Sequence, residues 1–497
     1  MRLNAFAGIV LVTLAGCGTS SASHPQAVDS APDRSRAPVA SVHTQARTAA
    51  GEYISWREHI IDGDAALSGS DGLAMGDLDR DGHSDIVSVH ESDTVYDGAP
   101  EGHIRLAFGS NNPDSWHLAT LVEGAEAAAA EDVAIGDLNG DGYPDVVGAC
   151  ELAHLIYLQN PGKDARTARW ARLIPPAASG RGSFIRVFMA DFNKDGRLEI
   201  VTANKGTQSG GPDDKERRAI SVFEITGDPL RASSWKEHVL GRVIVPINAQ
   251  PIDLDRDGDL DVLGGSRGER RIVWFENRSS KKLAFIEHRI EIAGSSVPDA
   301  ERPPDLRGTS GALVTGFNLD FADLNGDRRV DIVLQEGSTR LVWLEQPSEP
   351  SALWRLHSIG TIRPDDVEGL ALADIDGDGD RDVIVGSYSG GPRDKDGTVT
   401  VADQLGRLAW FEQRGGPDSW VRHDISRRKR GMFDKFIPVD FDRDGDIDFA
   451  STRGNSEPYD GVFWIEQVRT REPVPSFTQA RQTDSEEVAL PQGIETR

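Results

Sequence analysis

The strongest constraint on this chain is a nine-residue acidic pattern that occurs seven times. The first copy is Asp77-Leu-Asp-Arg-Asp81-Gly-His-Ser-Asp85. The others begin at Asp137, Asp191, Asp253, Asp323, Asp374 and Asp440, at intervals of 51–70 residues. A repeat of this kind is one supersecondary unit that buries its apolar surface only against its neighbours. Each copy runs into a β-branched stretch, such as Ile86-Val87, Val146-Val147 or Val383-Ile384-Val385, and follows another apolar run, such as Leu73–Gly76 or Leu370–Ala373. Two further patterns lie between copies. One alternates apolar residues and ends in Glu, as in Ile272-Val-Trp-Phe-Glu276 and Leu408-Ala-Trp-Phe-Glu412. The other is Trp-x-x-His, as in Trp56/His59, Trp235/His238, Trp354/His357 and Trp420/His423.

Each run reads as a strand by its β-branched and aromatic content and its flanking turns. Four strands per unit, seven units and no helical stretch predict an all-β, seven-bladed β-propeller of four-stranded blades. A Trp-x-x-His strand at 53–61 precedes the first acidic loop, and the last unit ends at Phe463-Trp464 with none after it. The N-terminal strand is therefore expected to complete the last blade and close the ring, which leaves no exposed central edge. We letter the strands A to D from the axis outward. The acidic loop joins A to B, the Trp-Phe-Glu run is C, and Trp-x-x-His is D.

Carboxylates at alternate positions of a short loop curl around a hard cation, and Gly at the sixth place permits the sharp turn. The expected ligands are Asp77, Asp79, Asp81 and Asp85 in blade one and Asp137, Asn139, Asp141 and Asp145 in blade two. Blade three offers Asp191, Asn193, Asp195 and Glu199; blade four offers Asp253, Asp255, Asp257 and Asp261. Blades five, six and seven offer Asp323, Asn325, Asp327 and Asp331, then Asp374, Asp376, Asp378 and Asp382, then Asp440, Asp442, Asp444 and Asp448. An EF-hand would need Glu at position twelve and flanking helices. Position twelve is never acidic here and the flanks read as strands, so these are β-type calcium loops closed by the ninth residue.

These loops resemble the FG-GAP and VCBS repeats of integrin-α-like propellers and bacterial surface proteins, over residues 53–467. The resemblance implies a calcium ion in each intact loop, up to seven. Blade five has Arg328 where Gly belongs, so its turn is expected to be strained and its site weak or empty. The FG and GAP tripeptides of integrins are not in their usual places; Gly98-Ala-Pro100 sits in a B–C loop. Integrin-type protein recognition is not implied.

The chain carries 81 acidic and 54 basic side chains, a net charge of −27. That sign argues against a nucleic-acid partner and suits hard cations. The two cysteines, Cys17 and Cys150, make no disulfide framework. Met-Arg, an apolar run from Ala5 to Leu14 and Leu14-Ala-Gly-Cys17 read as a secretion signal too short to span a bilayer. Leu-Ala-Gly-Cys resembles the lipobox of bacterial lipoproteins, which implies cleavage before Cys17 and a lipid on its sulfur. The expected organisation is a signal peptide at 1–16, a flexible tether at 17–52, the propeller at 53–467 and a disordered tail at 468–497. The chain is then a monomer in a bacterial cell envelope, touching the membrane only through its anchor.

Function is expected on the face opposite the acidic loops, where the insertions 90–103, 203–219, 291–317 and 387–406 fall. Tyr96, Tyr388 and Tyr459 lie in B–C loops there and are candidate ligand-stacking residues. Glu131, Asp132, Asp366, Glu368, Asp434 and Lys435 fall near the axis. Arg427-Arg-Lys-Arg430 reads as a basic D–A loop. The first reading is a surface binding module for a glycan or protein. The alternative is a carbohydrate-active enzyme with its site in the central channel, since calcium propellers of this kind resemble domains of some rhamnogalacturonan lyases and fungal aldos-2-ulose dehydratase. No nucleophile elbow, triad or zinc signature occurs.

Overall fold

A computed structural model describes residues 43–490 apart from 64–68, 92–100, 153, 208–213, 280, 390–398, 455–460 and 482–485. It contains seven sheets. Blade one is Ser70–Gly76, Asp85–Glu91, Gly102–Phe108 and His117–Glu123. Blade two is Ala130–Gly136, Asp145–Cys150, His154–Gln159 and Ala171–Leu173. Blade three is Phe184–Ala190, Glu199–Asn204, Arg217–Ile225 and Trp235–Ile244; blade four is Pro246–Ile252, Asp261–Ser266, Arg271–Asn277 and Phe285–Arg289. Blade five is Val314–Ala322, Asp331–Glu336, Arg340–Glu345 and Trp354–Thr361; blade six is Asp366–Ala373, Asp382–Tyr388, Gly406–Gln413 and Trp420–Arg428. Blade seven takes Phe436–Val439, Asp448–Arg453 and Gly461–Thr470 from the end of the chain, and its outer strand Tyr53–Asp62 from the start. Among the described residues the helical pieces are 3-10 turns of three or four residues.

The B strands show why the ring closes. Successive side chains of a strand point to opposite faces, so a doubly buried strand reads as a continuous β-branched run. Ile86 packs into the interface between blades seven and one, and Val87 into that between one and two. Ile332 and Val333 divide likewise between the four–five and five–six interfaces. Seven apolar clusters result, one at each blade junction, including the junction of blade seven with blade one.

The aromatic patterns are cross-strand pairs. His59 lies opposite Trp464 and stacks on it at 4.1 Å, while His59 Nε2 bonds the Glu466 carboxylate at 2.8 Å. His357 repeats this with Trp343 and Glu345, and His288 with Trp274 and Glu276. The Trp and Glu of strand C thus receive the His of strand D. Several indole N–H groups donate to proline carbonyls, as Trp354 to Pro350 at 2.8 Å and Trp235 to Pro229 at 2.8 Å. These tryptophans are blade packing.

Three expectations change. Residues 43–52, read as tether, are packed in part: Ala46 is buried and Ala49 N donates to the Asp376 carbonyl at 2.9 Å. The polar tail is ordered where it is described beside blade seven. Phe477–Thr478 pairs parallel with Trp56–Arg57, and the Phe477 ring sits under the Arg428 guanidinium at 4.5 Å. The run Arg427–Arg430 is not an exposed basic loop, because strand D of blade six continues through Arg428. Arg427 pairs with buried Asp365 at 2.8 Å, and Arg428 and Arg453 converge on Glu58 of the closing strand at 3.3 and 3.1 Å.

Burial disfavours the Glu58 charge, but the two guanidinium groups and the Ala480 N–H outweigh it and hold the carboxyl below its ordinary 4.5. Glu58→Gln would leave two buried cations uncompensated and is expected to cost about 3 kcal/mol or more in urea unfolding at pH 7. A group with a lowered folded-state pKa contributes stability above 4.5 that is lost as pH falls through the folded value. The gap between wild type and variant should therefore close in acid. A gap under about 1 kcal/mol, or one unchanged from pH 7 to about 3, would contradict this role.

Candidate functional site

The seven acidic loops share one backbone conformation. The sixth residue has positive φ in every copy, from +70° at Arg328 to +98° at Gly379, and so does the fourth, from +55° at Lys194 to +77° at Gly326 and Gly377. The first carboxylate accepts the N–H of residue six in six loops, for example Gly82 N to Asp77 at 3.0 Å. The third residue's side chain accepts the N–H of residue five in all seven. The fifth carboxylate accepts the N–H of residue seven in all seven. Side-chain oxygens therefore line the inside of each turn.

The ninth carboxylate is buried and staples the loop to its blade. It accepts the N–H of loop residue two in every copy, such as Leu78 to Asp85 at 2.7 Å. In six copies its other oxygen takes the N–H following strand C or at its end, such as Gln413 to Asp382 at 2.9 Å. In five blades the amide of that same residue crosses to the preceding blade. Asn160 reaches the Leu78 carbonyl at 2.8 Å, Asn277 reaches Phe192 at 2.9 Å, and Gln346, Gln413 and Gln467 follow suit.

Burial, and after the opposing backbone bonds the neighbouring acids, pushes these carboxyls up. Asp85, Glu199 and Asp261 rise to about 7, and Asp382 and Asp448 to about 8. Oxygens of Asp77, Asp79 and Asp85 lie within 4.8 Å of one another. So do those of Asp374, Asp376 and Asp382, of Asp440, Asp442 and Asp448, and of Asp253, Asp255 and Asp257. Asp253 Oδ1 and Asp440 Oδ1 are buried with no hydrogen-bond partner. An oxygen-only donor set, mutually repelling and holding buried oxygens without donors, fits a hard divalent cation.

Protein cations already touch some loops. Arg166, from the C–D connection of blade two, bonds Asp79 and reaches Asp81 at 2.7 Å. Lys194 pairs with Asp259 at 2.7 Å. In blade five the cation beside the cluster is Arg329, which bonds Asp327, not Arg328. Arg328 instead adopts the ordinary left-handed turn, and its N–H meets Asp323 at 2.8 Å.

The opposite face has a pocket of about 210 Å³ on the axis, lined from all seven blades. Asp71, Glu91, Glu131, Glu151, Glu368 and Asp434 supply acids, and Lys205 and Arg267 supply the cations. Burial and then the Glu151 charge push Glu131 up to about 8; burial and then Asp434 do the same to Glu368. One residue further along the A strands, side chains join across the axis. Arg186 bonds Asp434 at 2.8 Å and Asn318 at 3.0 Å, and Lys435 bonds Asp132 at 2.9 Å. Tyr388 lines this pocket. Tyr96, Tyr459 and Cys17 lie outside the described residues. His90 is buried between the Ser70 and Ser88 hydroxyls, at 2.7 and 3.0 Å, and burial lowers it to about 3. Sequence reasoning missed Arg186, Lys205 and Arg267.

Seven four-stranded blades, each with one oxygen-lined A–B loop, define the class: a repeat β-propeller. The family profile described as FG-GAP-like repeat matches residues 77–148, 253–334 and 323–385. The chain is a seven-bladed β-propeller that is similar to this repeat family over those residues. Cartilage acidic protein 1 of Mus musculus is 23% identical over 281 residues, which are 54% of this chain and 39% of that protein. The chain thus spans about two fifths of that relative's length. A solved structure of an Agrocybe aegerita lectin that recognises non-reducing terminal N-acetylglucosamine is 14% identical, with a TM-score of 0.44 over 80% of this chain and 86% of that one.

Gly379 has φ +98° and no atom within 4 Å of where a Cβ would sit, so only its backbone opposes a side chain. Gly379→Ala is expected to destabilise by about 1–2 kcal/mol in denaturant unfolding, and Arg328→Gly to stabilise by up to about 1 kcal/mol. Equal signs for the two changes would contradict a shared left-handed turn.

Proposed function

We propose that this protein is an exported binding module, stiffened by calcium, that presents its pocketed face to a glycan or protein at a bacterial cell envelope. The observation that carries the reading is the division between faces. The acidic loops lie at one end of the A and B strands, and a pocket with contributions from every blade lies at the other. Rigid ends on one side leave the other free to vary for recognition.

Calcium suits the loops because each gathers carboxylate oxygens around one turn, joined by an Asn side-chain oxygen in blades two, three and five. The blade-five loop is expected to bind weakest, since it has only three acids at its ligand positions and Arg329 already pairs with one of them, Asp327. An ion that binds only the folded ring stabilises it by mass action. The leader and Leu14-Ala-Gly-Cys17 support a lipid anchor. Among the described residues no helix is long and apolar enough to cross a membrane.

A second reading has one supporting observation. Glu131 and Glu368, both pushed up to about 8, are carboxyls that hold or release a proton near neutral pH in the axial pocket. That suits a lyase or dehydratase acting on a carbohydrate.

Excess chelator is expected to lower the calorimetric melting temperature by several degrees, with calcium restoring it; an unmoved transition would remove calcium from the account. Cys17→Ala is expected to shift the protein from the membrane to the soluble fraction, and unchanged partition would remove the anchor. A glycan array is expected to give selective binding. Incubation with polysaccharides, followed by ultraviolet absorbance, separates the readings: unsaturated products would favour the enzyme.

A further inference from the structure

A second, larger cavity of about 610 Å³ lies on the pocketed face at the B–C turns of blades four and five. It uses residues that the repeat does not prescribe. The insertion 291–313 forms one wall, and the B–C turns of blades four and five form another.

The insertion is held in place from both ends. Glu336 is fully buried, and its carboxylate accepts from Ser295 Oγ at 2.5 Å, Ser296 N at 2.7 Å, Ser296 Oγ at 2.6 Å and Leu313 N at 3.1 Å. Glu301, the other acid in the lining, pairs with Arg340 at 3.3 Å and Arg363 at 2.5 Å. Both acids are therefore engaged in fixing the wall.

The cations exceed them. Arg267, Arg270, Arg340 and Arg363 all line the cavity. Arg267 differs from the others. Among the described residues its guanidinium makes no hydrogen bond or ion pair; it lies over the Phe317 ring at 5.6 Å, and its charge acts on Glu368. It lines both this cavity and the axial pocket. Arg340 Nε is buried without an acceptor. On a chain of net charge −27 this excess of positive charge is local to the cavity.

We propose that this cavity binds a small saccharide bearing a carboxylate, with Arg267 as the residue that reads the carboxylate. A guanidinium fork matches a planar carboxylate with two parallel N–H···O bonds. One uncommitted guanidinium suits a monoanion; a phosphate dianion would bring a second negative charge toward Glu301 and Glu336. The volume suits a small-molecule site. Thr315 and Thr339 are among the polar residues that line it, while Val297, Pro303 and Leu313 offer an apolar wall to a sugar ring. The proposal rests on reading this face as the ligand-binding one and names the ligand class.

The test is titration calorimetry on the full chain in calcium, with galacturonic acid, glucuronic acid, glucose and inorganic phosphate as probes. At least one uronic acid is expected to bind, with glucose and phosphate at least about tenfold weaker. Arg267→Ala is expected to weaken uronate binding at least about tenfold with an unchanged melting temperature. Arg267→Lys, which keeps the charge and loses the fork, should fall between, and it carries the comparison if the alanine variant melts lower. Glucose bound as tightly as the uronates, phosphate bound more tightly, or an unaffected Arg267→Ala would overturn the proposal. Failure of all four probes would also overturn it; selective binding of neutral glycans on the array would then leave the binding-module reading standing.

Discussion

The fold depends on one repeated interaction, the buried ninth carboxylate of each acidic loop. It ties the start of the loop to its end, and in six blades also ties the loop to strand C. Where strand C ends in Asn or Gln, the amide carries the tie to the preceding blade. Loop, blade and neighbour are thus positioned by a single acid. Burying that acid is unfavourable, which is why these carboxyls rise to between about 6 and about 8. A ring that places such a group at every A–B turn needs positive charge there. Arg166, Lys194 and Arg329 supply it at the loops of blades one, four and five, and the clustered oxygens of blades six and seven are suited to an ion.

The same loop sets a register that reaches the opposite face. Six residues before the first Asp of each loop stand Asp71, Glu131, Ile185, Ile247, Phe317, Glu368 and Asp434, and six of these seven line the axial pocket. Fourteen residues after it stand Glu91, Glu151, Lys205, Arg267 and Tyr388 in five of the blades, and these line it as well. The residues five before the first Asp include Asp132, Arg186, Asn318 and Lys435, which meet across the axis. Counting from a strong motif therefore recovers almost the whole pocket, because the offset from the acidic loop to the pocket end of strands A and B is the same from blade to blade even though the other loops vary in length. The blade count, strand order and closing strand were legible for the same reason.

What the sequence concealed depends on distant partners. Arg427–Arg430 reads as a solvated basic run until Asp365 and Glu58 are brought beside it by neighbouring strands. The tail carries one aromatic anchor, Phe477, too little for any periodic signal. The Glu336 latch joins residues on either side of an aperiodic insertion, and no repeat announces it. At Arg328 the sequence suggested a defect, yet the backbone accepts the same left-handed turn with a non-glycine residue, as it does at Arg80, Arg256 and Arg443.

The joining of first and last strands has a consequence for biosynthesis. Arg57 meets Glu466, a partner 409 residues later in the chain. The outer strand of blade seven is made before the rest of the ring and must wait, unpaired, until the last blade has been made. A prematurely terminated product lacks the partner for its own beginning and exposes edges at both flanks of the gap. Such closure acts as a check on the ring: only a chain made through its last blade can seal, and shorter fragments keep open edges that proteases can recognise.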